Sequence, residues 1–416
     1  MNTAEVTVIG AGIVGIATAL YLQREGHHVR VIDPQAPGEG TSFGNAGSIA
    51  PSSIVPAALP GTLRQVPKWL LDPLGPLTIS WRQLPLMLPW FLHFRRACGP
   101  ARAQRAAANL RSLNEPAVDA YADLLAAAGA PELLRREGML HAYKTAAGFN
   151  ASAFARKLRT DNGCAVELVD AAKIRELSPG LSSDYRWGFY LPDNAHVRNP
   201  LRVTKALAGH FTRNGGALER ASVRSIKCDS HGPITLDTDA GRSTAECVVV
   251  AAGFASARLA ARLGARIPLA PERGYHIEIP GAAPEQQCPV TDGSSRFVAT
   301  PMENGLRIAG TSEFQAAGAP PNWDRAEALA TLAAKMFPGL RADNYTRWMG
   351  VRPSTPDSAP VIGRSPRHKR VLFAFGHGHW GLMAAPATGQ LIADLVAERT
   401  PCIDITPFRP ERFAFI

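Results

Sequence analysis

The chain has 416 residues, of which 46% are hydrophobic and 19% charged. That length exceeds one ordinary core and predicts two domains, and the composition excludes a disordered chain. Forty-five Lys and Arg against 35 Asp and Glu leave a net charge of +10, which favours anionic ligands or surfaces; with no interleaved aromatic and basic recognition motif, nucleic acid is not an expected partner.

Val6 to Ile9 is a β-branched run suited to a buried parallel strand, and it ends on Gly10, Gly12 and Gly15. In this Gly-x-Gly-x-x-Gly spacing the first glycine permits a tight turn. The second lets backbone approach a pyrophosphate, and the third lets the helix lie close on the strand. The helix is predicted from Ile13 and Val14 to about Gln23, with Ile16, Leu20 and Tyr21 at helical spacing and Gly26 as its C-terminal cap. Its N-terminus directs peptide N–H groups at phosphate. A second strand, Val29 to Ile32, ends on Asp33-Pro34, about 20 residues beyond the glycines, where a carboxylate accepts the ribose hydroxyls of an adenosine. These residues imply a dinucleotide without a 2′-phosphate and leave NAD and FAD both open.

Thr41-Ser42-Phe-Gly-Asn45-Ala46-Gly47-Ser48 gathers hydroxyls, an amide and glycines, as a second ligand cradle or a plain loop would. From Pro51 to about Phe94 prolines accumulate, with the apolar run Leu84 to Leu92, and Trp69, Trp81 and Trp90 stand beside Lys68, Arg82, Arg95 and Arg96. Such a stretch suits an interfacial surface resting on a membrane, and equally a lid packed on the protein itself. Asn114 to about Ala128 reads as an amphipathic helix, Gly138 to Tyr143 as a strand, and Ala151 to Thr160 and Leu201 to Asn214 as helices.

Cys247 to Val250, followed by Ala251-Ala252-Gly253, is a buried strand ending in glycine that returns the chain to the nucleotide sheet. Pro271 to Pro280, Arg296 to Thr300 and Gly305 to Gly310 read as antiparallel strands. Gly350-Val-Arg352-Pro leads through Asp357 and Pro360 to Val361-Ile-Gly363. Val371 to Phe375 is the last strand, followed by Gly376-His377-Gly378-His379-Trp380-Gly381 and a helix from Leu382 to about Glu398. The expected fold class is α/β, α+β overall. A Rossmann-like cofactor domain is assigned to 1–58, 196–265 and 345–416, and a discontinuous substrate domain on a mostly antiparallel sheet to 59–195 and 266–344.

The six cysteines (Cys98, Cys164, Cys228, Cys247, Cys288, Cys402) are scattered without a Cys-x-x-Cys pair, and are read as reduced thiols, neither disulfides nor metal ligands. The N-terminus lacks the basic region of a signal peptide, and no apolar run reaches membrane-spanning length. The expected location is cytoplasmic, with peripheral contact at the inner face of the cell membrane as the other option.

Taken together, five stretches resemble the FAD-dependent D-amino-acid oxidase and glycine oxidase superfamily, and within it the bacterial D-amino-acid dehydrogenase group. They are Val8 to Gly15 with Asp33; Thr41 to Gly47; Val249 to Gly253; Gly350 to Pro353 with Pro356-Asp357 and Pro360 to Gly363; and Gly376 to Gly381. The resemblance implies FAD, with its isoalloxazine between the two domains. No cysteine lies near Gly376 to Gly381, so a covalent flavin link is not supported. By this resemblance Gly10, Gly12, Ile13, Val14, Gly15, Asp33, Pro34, Thr41, Ser42, Asn45, Ala46, Gly47, Ser48, Val223, Ala251, Ala252, Gly253, Gly350, Arg352, Gly376, Gly378, Trp380, Gly381 and Leu382 are expected to contact the cofactor. The helix after the last loop would turn its positive end to the reduced flavin near N1 and the C2 oxygen.

The implied reaction oxidises a D-amino acid: a hydride leaves the α-carbon for flavin N5, and water hydrolyses the imine to a 2-oxo acid and ammonia. Electrons then pass to a quinone-type acceptor. Such chemistry needs positioning and charge stabilisation more than a strong base. Arg352 is the expected clamp on the substrate carboxylate, because guanidinium meets carboxylate with two parallel hydrogen bonds; pairing with Asp357 or another acid is the competing reading. Arg273 and Tyr275 are candidate substrate-strand residues, or else a surface arginine and a core tyrosine. His377 and His379 are candidate hydrogen-bond partners or proton relays, or residues that structure their loop. D-hydroxyproline or another cyclic amine as substrate, oxygen as acceptor, and a non-catalytic FAD-binding subunit of an electron-transfer complex are the rival readings. Both homo- and hetero-oligomers are compatible with the sequence.

Overall fold

The computed structural model describes residues 4–229, 232–282 and 286–413. The first β-branched runs form strands Glu5–Ile9 and His28–Asp33, joined by helix Ile13–Arg24. The strands pair in parallel, Val6 opposite Val29 and Val8 opposite Val31. The full sheet runs Ala217–Arg220, His28–Asp33, Glu5–Ile9, Cys247–Val250, Val371–Phe375, Val361–Arg364, and only the last strand is antiparallel. Both faces of its central strands are covered, which is why Cys247–Val250 is apolar throughout rather than alternating.

One covering layer is helix Ile13–Arg24 against helix Gly381–Val396. They meet so closely that a Cβ at Gly389 would lie 2.7 Å from the Tyr21 ring and 2.9 Å from the Ala17 carbonyl oxygen. The other face carries a three-stranded antiparallel sheet, Val223–Cys228, Ile234–Thr238 and Gly241–Ala245, together with helix Ser256–Arg262.

The second large sheet has nine strands. Thr346–Ser354 lies at one edge, followed by Ala270–Pro280, Gly305–Phe314, Phe297–Met302, Val290–Asp292, Met139–Tyr143, Trp187–Leu191 and Glu167–Val169, while Leu77–Ile79 joins Gly305–Phe314 from outside that order. Pairing is antiparallel except at two places. Helix Asp324–Met336 packs on one face, burying Ala326, Leu329 and Ala333 against Tyr275, Ile277 and Ile308. The opposite face of Ala270–Pro280 turns to the cofactor domain, where His276 Nδ1 lies 3.1 Å from the Gly44 carbonyl oxygen.

Two assigned boundaries move. Thr346–Ser354, given to the cofactor domain from residue 345, pairs along Ala270–Pro280 and belongs to the nine-stranded sheet. Helices Pro100–Asn114 and Ala117–Ala128, given to the substrate domain, bury Leu110, Leu113, Tyr121, Leu124 and Leu125 in the same core as helices Ile13–Arg24 and Gly381–Val396. The helix expected from Asn114 to about Ala128 starts at Ala117 instead, and Asn114 ends the preceding helix, because Pro116 breaks the run between them.

The Trp-rich segment shows two faces. Helix Leu88–Ala97 sends Trp90 and Phe94, with Met87 just before it, against Ala270 and Phe314, and the Trp90 indole N–H donates to the Ser354 carbonyl oxygen at 3.0 Å. The other face leaves Leu71 84%, Leu86 76% and Trp81 73% exposed. Among the described residues no helix is long and apolar enough to cross a membrane.

Candidate active site

The carboxyl ends of the parallel strands converge on the glycine turn. Gly10, at φ +114°, has no room for a side chain, because a Cβ there would lie 2.4 Å from the Ala251 carbonyl oxygen. Asp33 stands at the next strand end, its Oδ2 accepting the Ala11 N–H at 2.7 Å and its Oδ1 that of Gln35. No side chain caps Gly12 at the start of helix Ile13–Arg24 and no acid occupies its first turn, while Ser42 Oγ accepts the Ile13 N–H at 3.0 Å. A helix N-terminus with no acid in its first turn and a hydroxyl beside it suits a pyrophosphate. At Gly253, φ +55°, nothing lies within 4 Å of where a Cβ would stand. These features fit the adenosine and pyrophosphate end of a flavin dinucleotide. Pro34 accepts from Arg220 Nε, and Val223 packs with Ile9 and Ile32 behind the strand ends.

The Thr41–Ser48 loop bridges the two sheets. Thr41 Oγ1 donates to the Val351 carbonyl oxygen at 3.0 Å, one residue from Arg352. Arg307 Nη1 donates to the carbonyl oxygens of Asn45 and Phe43, and Asn45 Oδ1 accepts the Gly47 N–H at 2.8 Å. Gly44 must be glycine, since Trp348 lies where its Cβ would be. From the far side, the Gly376–Gly381 loop is fastened to the same strand: the Gly378 N–H donates to the Pro353 carbonyl oxygen at 3.1 Å, and His377 bridges Ser354. Gly376 and Gly378 take φ +80° and +52° to make that approach.

Where these segments meet stands a buried carboxylate that the sequence reading missed. Glu272 accepts from Arg352 Nη1 at 3.1 Å, from Ser312 Oγ at 2.5 Å and from Ser354 Oγ, and His379 Nε2 lies 2.5 Å from its Oε1. Burial alone would push this carboxyl up; His379, Arg352 and the Ser312 hydroxyl outweigh it and hold it well below the usual carboxylate range. Arg352 Nη1 also donates to the Thr311 carbonyl oxygen at 3.3 Å, while Nε and Nη2 make no hydrogen bond among the described residues. The guanidinium lies over Gly274, where a Cβ would come 2.1 Å from Nη2. The acid paired with Arg352 is therefore Glu272; Asp357 binds Arg412 at 2.8 Å.

A β-bulge shapes this corner. The register between Ala270–Pro280 and Gly305–Phe314 shifts between Arg273 and Tyr275, and opposite it Thr311 sits at φ +60°. A β-branched residue in that region is strained, by roughly 1–3 kcal/mol. The bulge sends the Ser312 hydroxyl to Glu272 on one face and the Glu313 carboxylate to the other, where Tyr275 donates to it at 2.6 Å and Arg273 Nε lies 3.3 Å away.

Several expected site residues are thereby placed elsewhere. Arg273 and Tyr275 are buried on the helix-covered face, bound to Glu313, and do not reach the face that carries Arg352. His377 is buried with its Nε2 2.9 Å from Thr388 Oγ1, so it structures its loop. Trp380 and Leu382 point into the cofactor-domain core: the Trp380 indole donates to the Ser53 carbonyl oxygen, and the Leu382 carbonyl accepts from Tyr121. Only their backbone remains for a ligand. His379, half exposed, is the expected histidine that stays beside Arg352, its Nε2 3.3 Å from Nη1.

The buried histidines set an acid limit. Burial lowers His377 and His276 to about 3, with the Arg307 guanidinium adding at His276. In the unfolded chain each takes a proton near 6.5 while the folded form stays neutral, so the unfolded state binds more protons between those values. Stability should be complete above about pH 6.5 and fall by about 1.4 kcal/mol per pH unit per histidine below it. Melting temperatures at pH 7.5 and 5 would show the drop, and His377→Asn should make it smaller.

A dinucleotide sheet set against an antiparallel chamber, with the loops of one fastened to the strands of the other, is the plan of a two-domain flavin oxidoreductase. Over residues 5–395 the chain matches the family model described as DAO, FAD dependent oxidoreductase, and it belongs to that family. FAD is its cofactor. It is 37% identical over 415 residues to a D-amino-acid oxidase of Bradyrhizobium diazoefficiens, covering 98% of each chain. It is 31% identical to a D-amino acid dehydrogenase of Paramagnetospirillum magneticum, covering 98% of this chain and 99% of that one. Among solved structures it resembles glycine oxidase from Geobacillus kaustophilus, with a TM-score of 0.76, 24% identity and 99% of both chains covered. L-proline dehydrogenase from P. horikoshii shares the fold at a TM-score of 0.78 and 19% identity, covering 100% of this chain and 98% of that one.

Proposed function

We propose that the protein oxidises a D-amino acid to the 2-oxo acid and ammonia, and passes the electrons to a quinone-type acceptor at a membrane surface. The observation that carries the substrate reading is that partly exposed Arg352 keeps Nε and Nη2 without a hydrogen bond among the described residues, the two donors that can meet a carboxylate in parallel. His379 stands beside it to exchange a proton with the substrate amine. When bound, FAD supplies the acceptor for the hydrogen and electron pair leaving the α-carbon. The D preference is supported by the names of the two curated relatives.

The acceptor reading is supported by the exposed face of the Trp-rich segment. Leu71, Leu86 and Trp81 are flanked by Arg64, Lys68, Arg82, Arg95 and Arg96, and Asp72 is the one acid between Gly61 and Asn114. Exposed apolar side chains with cations close in sequence, Arg82 lying over the Trp81 ring, suit an anionic lipid surface. Oxygen is the second reading, favoured by the relative named an oxidase.

Anaerobic mixing with a panel of D- and L-amino acids should bleach the flavin with D-substrates; no bleaching by any of them would leave a non-catalytic flavoprotein. The reduced protein should reoxidise faster with a soluble quinone than with air, and should float with anionic vesicles unless Leu71 and Leu86 are changed to Asp. Rapid reoxidation in air with stoichiometric peroxide would make oxygen the acceptor.

A further inference from the structure

We propose that Glu272 is a positioning residue for the substrate carboxylate site: it holds Arg352 by Nη1 and so presents the Nε–Nη2 edge to the incoming carboxylate. The inference rests on the carboxylate-clamp reading of Arg352 and extends it to a residue that touches no substrate.

Glu272 gathers groups from three separate segments. Ser312 comes from the bulged strand, Arg352 and Ser354 from the edge strand, and His379 from the loop that follows the last strand of the cofactor sheet. A buried carboxylate is unfavourable unless its oxygens are fully satisfied, and a stabilising role alone is better served by apolar packing. What the carboxylate adds is direction. Arginine carries a flexible side chain, and one tied at Nη1 to Glu272 and to the Thr311 carbonyl has the plane and rotation of its guanidinium set before substrate arrives. A side chain at position 274 would obstruct that pose, and glycine leaves it clear.

Glu313 supplies the internal comparison. It is a second buried glutamate one bulge away, bound to Arg273 and Tyr275 on the opposite face and remote from Arg352's open edge. If buried glutamates in this sheet serve stability alone, substitutions at 272 and 313 should behave alike.

The test compares Glu272→Gln, Glu313→Gln and Arg352→Ala in the FAD-loaded protein, measuring KM and kcat for D-alanine, the Kd of benzoate as a carboxylate probe by flavin absorbance, flavin content and melting temperature. Glu272→Gln should raise KM and the benzoate Kd together by about tenfold, the loss expected when a preorganised side chain must be ordered on binding; the benzoate Kd is the deciding readout, because the same change also removes the carboxylate beside His379 and so acts on kcat. Glu313→Gln should lower the melting temperature without moving either constant. Wild-type KM and Kd in Glu272→Gln, with both raised in Arg352→Ala, would overturn the positioning role and keep the clamp. If Arg352→Ala also leaves both unchanged, the clamp reading falls and the positioning role with it. Should Glu272→Gln not fold, Ser354→Ala, which removes one hydroxyl that fixes Glu272, should raise KM and Kd in the same direction by about threefold; no change there would equally overturn the proposal.

Discussion

Replacing Arg352 by alanine should raise KM for a D-amino acid by about a hundredfold, because two hydrogen bonds between charged groups, together worth about 3 kcal/mol, are lost on substrate binding. The same change strips Glu272 of its guanidinium partner. Removing one member of a buried ion pair costs about 3–5 kcal/mol, softened here because His379, Ser312 and Ser354 remain and Arg352 is partly exposed. The variant should therefore bind substrate weakly and melt early. Arg352→Lys keeps the charge but presents a point rather than a fork, so it should restore melting more fully than it restores KM. Steady-state kinetics beside a melting curve separates the two effects, and an unchanged KM in Arg352→Ala would remove this residue from the site.

The second large effect should come from Gly15→Ala. A Cβ there would stand 1.8 Å from the Gly10 carbonyl oxygen and 2.9 Å from its carbon, and both are backbone atoms of the glycine turn itself. Neither can move without lifting helix Ile13–Arg24 from its strand, which takes the uncapped helix N-terminus away from the pyrophosphate. Overpacking of this kind costs about 1–3 kcal/mol, and the larger loss is of cofactor. Purified Gly15→Ala should carry almost no flavin absorbance. Gly26→Ala is the matched control: nothing lies within 4 Å of its Cβ, though φ is +84°, so it should lose about 1–2 kcal/mol of stability and keep its flavin. A Gly15→Ala protein that keeps its full FAD content would refute this account of the turn.

What could be read from the sequence was local. Gly10, Gly12, Gly15 and Asp33 declare themselves because strand, turn, helix and strand follow one another without interruption, and each position has one physical task. Arg352 was legible as a residue, but its partner was not: Glu272 lies eighty positions earlier and meets it only through strand pairing. Alternation along the strand puts Arg273 and Tyr275 on one side and Glu272 on the other. It does not say which side the cofactor domain covers, and that is decided by helix Asp324–Met336 occupying the Tyr275 face. The available signal for Glu272 was an acid at a position that alternates onto the face opposite Tyr275, Ile277 and Ile279, in a strand paired on both sides. The boundaries moved for a related reason. Helix Ala117–Ala128 carries an apolar stripe that would fit either core, and only the three-dimensional neighbours, helices Pro200–Arg213 and Gly381–Val396, choose between them.

The strand order of the cofactor sheet also fixes a history for each newly made molecule. Glu5–Ile9 is made long before its later partners, since one of its two edges is completed by Cys247–Val250, and that strand in turn by Val371–Phe375. For most of synthesis the βαβ unit is a half-built sheet with an open apolar edge, the kind of surface on which chains pair wrongly with one another. The Gly376–Gly381 loop and the helix that packs on Ile13–Arg24 arrive later still. The two sides of the cofactor cleft therefore cannot be complete until the chain has been made past Gly381.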